Sequence, residues 1–149
     1  MTATASFAST VHADAGAATS TTPRFVPAFG RLLMGTIFLA SGLSKLAAPA
    51  ATLGYIGSAG LPLPVAALAT SVVVEVGGSL LLIAGYRARL VAVVLALFSV
   101  VTALAFHTAF ADQNQMIHFL KNLAMAGGLL QVTAFGAGSL SLDNRAGRA

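Results

Sequence analysis

The sequence predicts an all-α integral membrane protein, a four-transmembrane-helix antiparallel bundle with both termini in the cytoplasm. Three observations carry that expectation. Hydrophobic residues make up 57% of the chain and charged residues only 8%, against roughly 25% charged in a soluble domain. Four apolar stretches are separated by short polar or Pro/Gly-bearing joints. Most of the cations fall on one side of those stretches, as they do in a protein oriented by its cytoplasmic charges.

Taken in order, residues 1–23 are rich in Ala, Thr and Ser and lack the basic start and apolar core of a secretory signal, so they read as a flexible N-terminal tail. His12 and Asp14 within it are expected to be solvated. The domain proper runs from 24 to 143. Its first uncharged run, 32–44, is shorter than the about 20 residues that a span needs, so the first helix must carry Arg31, Lys45 or both. Pro49, Gly54, Gly57, Gly60, Pro62 and Pro64 mark a connecting segment, with a short interfacial piece around Tyr55.

A second span is expected over 63–85. The four residues 86–89 allow only a tight antiparallel connection, and 90–110 supplies the third span. Residues 111–115, with Asp112, Gln113 and Asn114, form the next polar turn. The fourth span begins near Met116, passes through His118, Lys121 and Asn122, and ends by Gly136 or Gly138. Residues 144–149 close the chain as a C-terminal tail.

With four spans, both termini and the second turn share a side. That side holds Arg24, Arg31, Arg87, Arg89, Arg145 and Arg148, while the other holds only Lys45 and Lys121. The positive-inside rule makes the first side cytoplasmic. Arg31, Arg87 and Arg89 are therefore read as lipid-facing topology signals, with contact to anionic lipid as a further role.

Depth follows at about 1.5 Å per helical residue. Glu75 falls near the middle of the bilayer, Lys45 and Lys121 in its outer half, and His107 near the outer edge. Charged groups at such depths are costly, so they should face inward, pair, or change protonation state. Ser71, Gly78 and Ser79 share the face of Glu75, and Ser41 stands one turn before Lys45. Thr36, Ala40 and Ser44 make a small-residue seam suited to helix packing. Lys45, Glu75, His107, Lys121 and Asn122 thus form a candidate ligand-binding or proton-linked polar cluster. A structural ion pair of Glu75 with Lys45 or Lys121 is the equally weighted alternative.

The absence of cysteine removes disulfides, thiolate metal sites and any dithiol relay carried by this chain. The net charge of +4 is spread between apolar runs rather than gathered into a basic patch, which argues against nucleic acid. No phosphate-binding glycine loop, positioned nucleophile or metal spacing is present, and a single Glu cannot make a paired-carboxylate site. His107 and His118 as haem ligands is the weaker reading beside ordinary interfacial histidines. Gly77, Gly78, Gly127 and Gly128 read as packing contacts.

GRLLMGTIFLASGLSKL, VEVGGSLLLIAGYRARLVA, AFHTAFADQNQMIHFLKNLAMAGGLL and GAGSLSLD, in this order and spacing, resemble the DoxX family of bacterial inner-membrane proteins over about residues 29–143. The resemblance implies four transmembrane helices. It places Arg31, Gly42, Lys45, Glu75, Gly78, Gly85, Arg87, His107, Lys121, Asn122 and Gly128 on positions typical of the family. Some relatives are associated with quinone-linked sulfur oxidation or with membrane oxidoreductase complexes that manage oxidative stress.

The expectation is therefore a multi-pass protein of the inner membrane that is not an enzyme on its own. It would be an accessory subunit of a quinone-linked or oxidative-stress redox system, holding a small lipophilic ligand in a periplasm-facing polar cavity. Quinone is the expected cofactor, and the lipid bilayer, a redox partner protein and a homo-oligomer are the expected partners. A small-molecule permease working as an oligomer and a purely structural membrane subunit are the alternatives. Neither metal nor nucleic acid is expected.

Overall fold

The computed structural model describes residues 23–147, so the expectations for the N-terminal tail with His12 and Asp14, and for Arg148, lie outside the described residues. Regular structure among the described residues is entirely helical. Helix α1 spans Val26–Ala47, the short α2 Pro49–Ser58 and α3 Pro64–Ala84. After a tight turn come α4, Ala88–Phe106, then α5, Gln113–Phe135, and a last helical turn, α6, Leu142–Ala146. Helices α1, α3 and α4 are long and apolar enough to cross a membrane. Helix α5 has 23 residues but is less apolar, because Gln113, Asn114, Gln115, His118, Lys121 and Asn122 crowd its first half.

Local chemistry sets the boundaries. Pro49 and Pro64 open α2 and α3 at first-turn positions, where a missing N–H costs nothing. Helix α1 includes both Arg31 and Lys45. Asp112 caps α5 by accepting from the Asn114 and Gln115 amides at 2.8 and 3.4 Å, which starts the helix three residues before the Met116 expected from hydropathy. Helix α4 ends at Phe106 rather than continuing to Phe110, and His107 takes the C-cap position.

The four long helices meet in one apolar core. Phe38 of α1, Leu82 of α3, Val91, Ala92, Leu95 and Ala96 of α4, and Ala126 and Leu129 of α5 are its buried members. Outside that core the surface is itself apolar. Leu33, Ile37, Leu97, Val101, Leu104 and Leu130 are all more than half exposed, a distribution suited to lipid and not to water.

Helix α1 meets α3 through glycines. A Cβ on Gly35 would lie 2.5 Å from Ile83 Cγ1, and one on Gly42 would lie 2.6 Å from Val76 Cγ2 and 3.1 Å from Glu75 Cβ. The seam expected along Thr36, Ala40 and Ser44 is instead exposed, and the Thr36 and Ser44 hydroxyls bond back to the carbonyls of Leu32 and Ser41. The buried stripe of α1 is Arg31, Gly35, Phe38 and Gly42. Gly78 and Gly128 are packing contacts, against Leu95 and Met34, while Gly77 and Gly127 face open space.

At the α3–α4 turn, backbone groups that hydrocarbon could not satisfy are satisfied by protein. Gly85, at φ +69°, and Tyr86 donate to the carbonyls of Leu82 and Leu81, the paired bonds of a Schellman stop. Arg31 Nη1 donates to the carbonyls of Leu82 and Ile83, both at 2.9 Å, and Nη2 donates to the Leu140 carbonyl. The Asp143 carboxylate accepts from the amides of Arg87 and Ala88 at 2.6 and 2.8 Å and so caps α4, while the Asp143 amide donates to the Gly85 carbonyl. Arg31 is 1% exposed. The expectation that it faces lipid is therefore corrected: its guanidinium is an internal clasp that closes the end of α3, a geometry that five planar donors suit.

Candidate functional site

Glu75 sits where the hydrogen-bond pattern of α3 widens to a π turn, Val73–Gly77. Such a turn inserts an extra residue and is frequent at functional sites. The neighbouring Ser71 and Ser79 are buried, but their hydroxyls bond to the Leu68 and Val76 carbonyls and leave the carboxylate alone. Partners come instead from α1. Lys45 Nζ donates to Glu75 Oε1 and Oε2 at 2.8 and 2.7 Å, and Ser41 Oγ donates to Oε1 at 3.1 Å. Lys45 also donates to Ser41 Oγ at 2.8 Å. Both carboxylate oxygens are thus engaged, and of the two lysines considered it is Lys45 that pairs. The Glu75 side chain is 5% exposed and that of Lys45 23%, so the pair lies at a wall with its cation turned to open space.

That space is a cavity of about 890 Å³. Lys45, Glu75, His107, Lys121 and Asn122 all line it, drawn from α1, α3 and α5 and from the C-cap of α4. Its other walls are largely apolar, including Phe38, Ile56, Phe98, Phe106 and Met125. Leu63 and Val101 at its edge are 75% and 62% exposed, so the cavity reaches the outer surface of the helices.

The polar groups are not equivalent. Asn122 turns its amide back to the His118 carbonyl at 2.9 Å. His107 Nδ1 lies 2.8 Å from Gln115 Oε1, and which of the two ring nitrogens carries the proton follows the tautomer of the ring. The rings of His107 and His118 stack at 5.1 Å. Lys121 is exposed to the cavity and pairs with no carboxylate among the described residues.

Two features escape a reading of the sequence. Helix α2 is a wall rather than a mere connection: Thr52, Tyr55 and Ile56 line the cavity, and the Tyr55 ring stacks on Phe106 at 5.3 Å. Leu63 enters α3 in the left-handed region at φ 56°, a strained conformation for a branched side chain. The signal for the first is an aromatic placed between proline joints. For the second there is none, because Leu has no preference for that region. Arg31, Arg87 and Arg89 lie away from this cavity, Arg31 in the clasp and the other two in a second pocket beside it.

Residues 26–108 match the family model DoxX, more than half of the chain. The chain belongs to the DoxX family. It is 34% identical over 116 residues to "Inner membrane protein YqjF" of Escherichia coli (strain K12), covering 76% of this chain and 85% of that protein. It is 33% identical over 120 residues to "Inner membrane protein YphA" of the same organism, covering 77% and 86%. No solved structure matches significantly. With these relatives and three apolar spans, this DoxX protein is a multi-pass protein of the bacterial inner membrane. Lys45, Glu75 and His107 lie within the family match, whereas Lys121 and Asn122 lie beyond it.

Proposed function

We propose that this DoxX protein holds a small lipophilic ligand, with a quinone as the best-fitting class, on behalf of a membrane redox partner. The carrying observation is the cavity of about 890 Å³, whose largely apolar walls hold the His107 ring and the Lys121 ammonium, which pairs with no carboxylate among the described residues. Ligand sites are commonly apolar concavities of about 300–1,000 Å³ with a few oriented polar groups. A flat ring with two carbonyls suits this set: Lys121 donates to a carbonyl, the His107 ring meets the other oxygen, and a prenyl tail leaves past Leu63 and Val101. Electron transfer is the chemistry such a ligand supplies when bound.

Lys45–Glu75 supports a different role within the same reading. Both Glu75 oxygens are engaged and the Lys45 ammonium donates to them and to Ser41, so the pair serves as the cavity floor and as a lock between α1 and α3. The same proposal takes α5 as the fourth span, both termini as cytoplasmic and the cavity as periplasm-facing. Six arginines on one side against two lysines on the other support this arrangement.

Purification in mild detergent without added lipid, followed by mass spectrometry of the extract, tests the ligand. Wild-type protein is expected to carry quinone, and Lys121→Ala to carry at least about tenfold less, whereas Arg24→Gln is unchanged. If no quinone is found and cells carrying Lys121→Ala show unaltered oxidant sensitivity, the proposal fails.

A further inference from the structure

At the end of the molecule away from the large cavity, a pocket of about 570 Å³ lies between the α3–α4 turn and the segment joining α5 to α6. It is lined by Arg87, Arg89 and Leu90 on one side and by Gly136, Ser141 and Asp143 on the other. Both arginines are exposed to it, and neither side chain pairs with a carboxylate among the described residues. The one acid present, Asp143, has its two oxygens committed to the amides of Arg87 and Ala88. Arg31 is held just behind, since a Cβ on Gly85 would meet both its guanidinium and Ser141. Two arginines therefore share the pocket with one carboxylate, a third stands behind it, and the pocket is left with an excess of positive charge.

The shape is as informative as the charge. Gly136, at φ +83°, ends α5 with no side chain over the pocket, and the Arg89 guanidinium lies against it, 3.4 Å from where its Cβ would stand. Leu90, immediately beside Arg89, is 57% exposed on the apolar surface. A ligand seated here thus meets guanidinium donors at one end and a lipid-facing apolar wall at the other.

We propose that this pocket binds the phosphate ester of an anionic amphiphile, with Arg87 and Arg89 clamping the phosphate and the first acyl carbons lying on Leu90. Planar, bidentate donors match phosphate oxygens, and basic pockets beside membrane helices are suited to anionic headgroups. The site is separate from the cavity of Lys121 and independent of which side of the membrane it faces. A topology signal needs only charge anywhere on the loop; two arginines lining one concavity beside an exposed leucine, with the Arg89 guanidinium against Gly136, are a more specific arrangement.

The test uses the full chain in zwitterionic nanodiscs doped with phosphatidylglycerol. Wild-type protein should retain the anionic lipid over phosphatidylcholine in native mass spectrometry. The doubly substituted R87Q/R89Q chain should lose that preference by about tenfold or more, and R87K/R89K should restore part of it. Arg24→Gln and Lys121→Ala should not change it. Because removing arginines can also disturb insertion, a second measurement needs no variant: arginine-directed labelling of the wild type by phenylglyoxal should fall at Arg87 and Arg89 in phosphatidylglycerol discs and not in phosphatidylcholine discs. Protection by inorganic phosphate alone, without preference for the lipid, would assign the site to a soluble phosphate and overturn the lipid source. Equal labelling in all conditions, or equal loss of lipid in Arg24→Gln, would overturn the site.

Discussion

At the scale of single residues, the polar groups of this protein divide into those that are satisfied and those that are not. Glu75 is satisfied: removing its charge in Glu75→Gln leaves Lys45 facing a half-buried wall without its partner, and breaking such a pair costs about 3–5 kcal/mol when fully buried. Because Lys45 opens onto the cavity, a loss nearer 2 kcal/mol is expected. The Lys45→Met, Glu75→Leu pair should recover much of it, read from unfolding midpoints in detergent and a double-mutant cycle. Arg31 is satisfied at Nη1 and Nη2, whereas its buried Nε has no partner among the described residues. Arg31→Leu removes a donor from the carbonyls of Leu82, Ile83 and Leu140 together, of which Leu82 keeps the Gly85 amide, and a drop in thermal midpoint larger than that of Arg24→Leu should follow. Equal drops would show that the clasp contributes nothing beyond charge.

At the scale of elements, the close approach of α1 to α3 depends on two missing side chains. Gly42→Ala places a methyl 2.6 Å from Val76 Cγ2 and against the Cβ of Glu75, so the helices must separate; about 1–3 kcal/mol of destabilisation is expected. Gly54→Ala in α2 meets nothing within 4 Å and is the matched control, neutral or stabilising by up to about 1 kcal/mol. Asp143→Ala removes the acceptor for two α4 amides and should cost about 1 kcal/mol, with faster amide exchange confined to the first turn of α4. Hydrogen exchange that stays unchanged there would show that the cap is not made in solution. Hydropathy exposes none of these contacts, because they join residues 34, 48 and 56 positions apart.

At the scale of the whole molecule, much of the surface that elsewhere would be polar is apolar, while Arg31 and Glu75 are buried among the helices. Reporter fusions read this directly. A periplasm-active reporter placed after Ala149 should be inactive and one placed after Ala111 active if both termini are cytoplasmic and α5 spans. The reverse pattern at Ala111 alone would remove α5 from the spans. Quinone retention should not depend on orientation, so the two proposals fail separately.

Composition and periodicity alone determined a membrane class, the helices α1, α3 and α4 within a few residues, and the turn between α3 and α4. They did so because lipid imposes length and hydropathy on each span independently. What only the tertiary structure decided is which side chains meet. Lys45 rather than Lys121 pairs with Glu75, Gly35 and Gly42 rather than Thr36 and Ala40 make the α1 seam, and Arg31 turns inward to close α3 instead of facing lipid. The π turn at Val73–Gly77 and the left-handed Leu63 leave no mark in the residue pattern. Each follows from how neighbouring helices compete for the same space, and a single strand of sequence carries only one side of that competition.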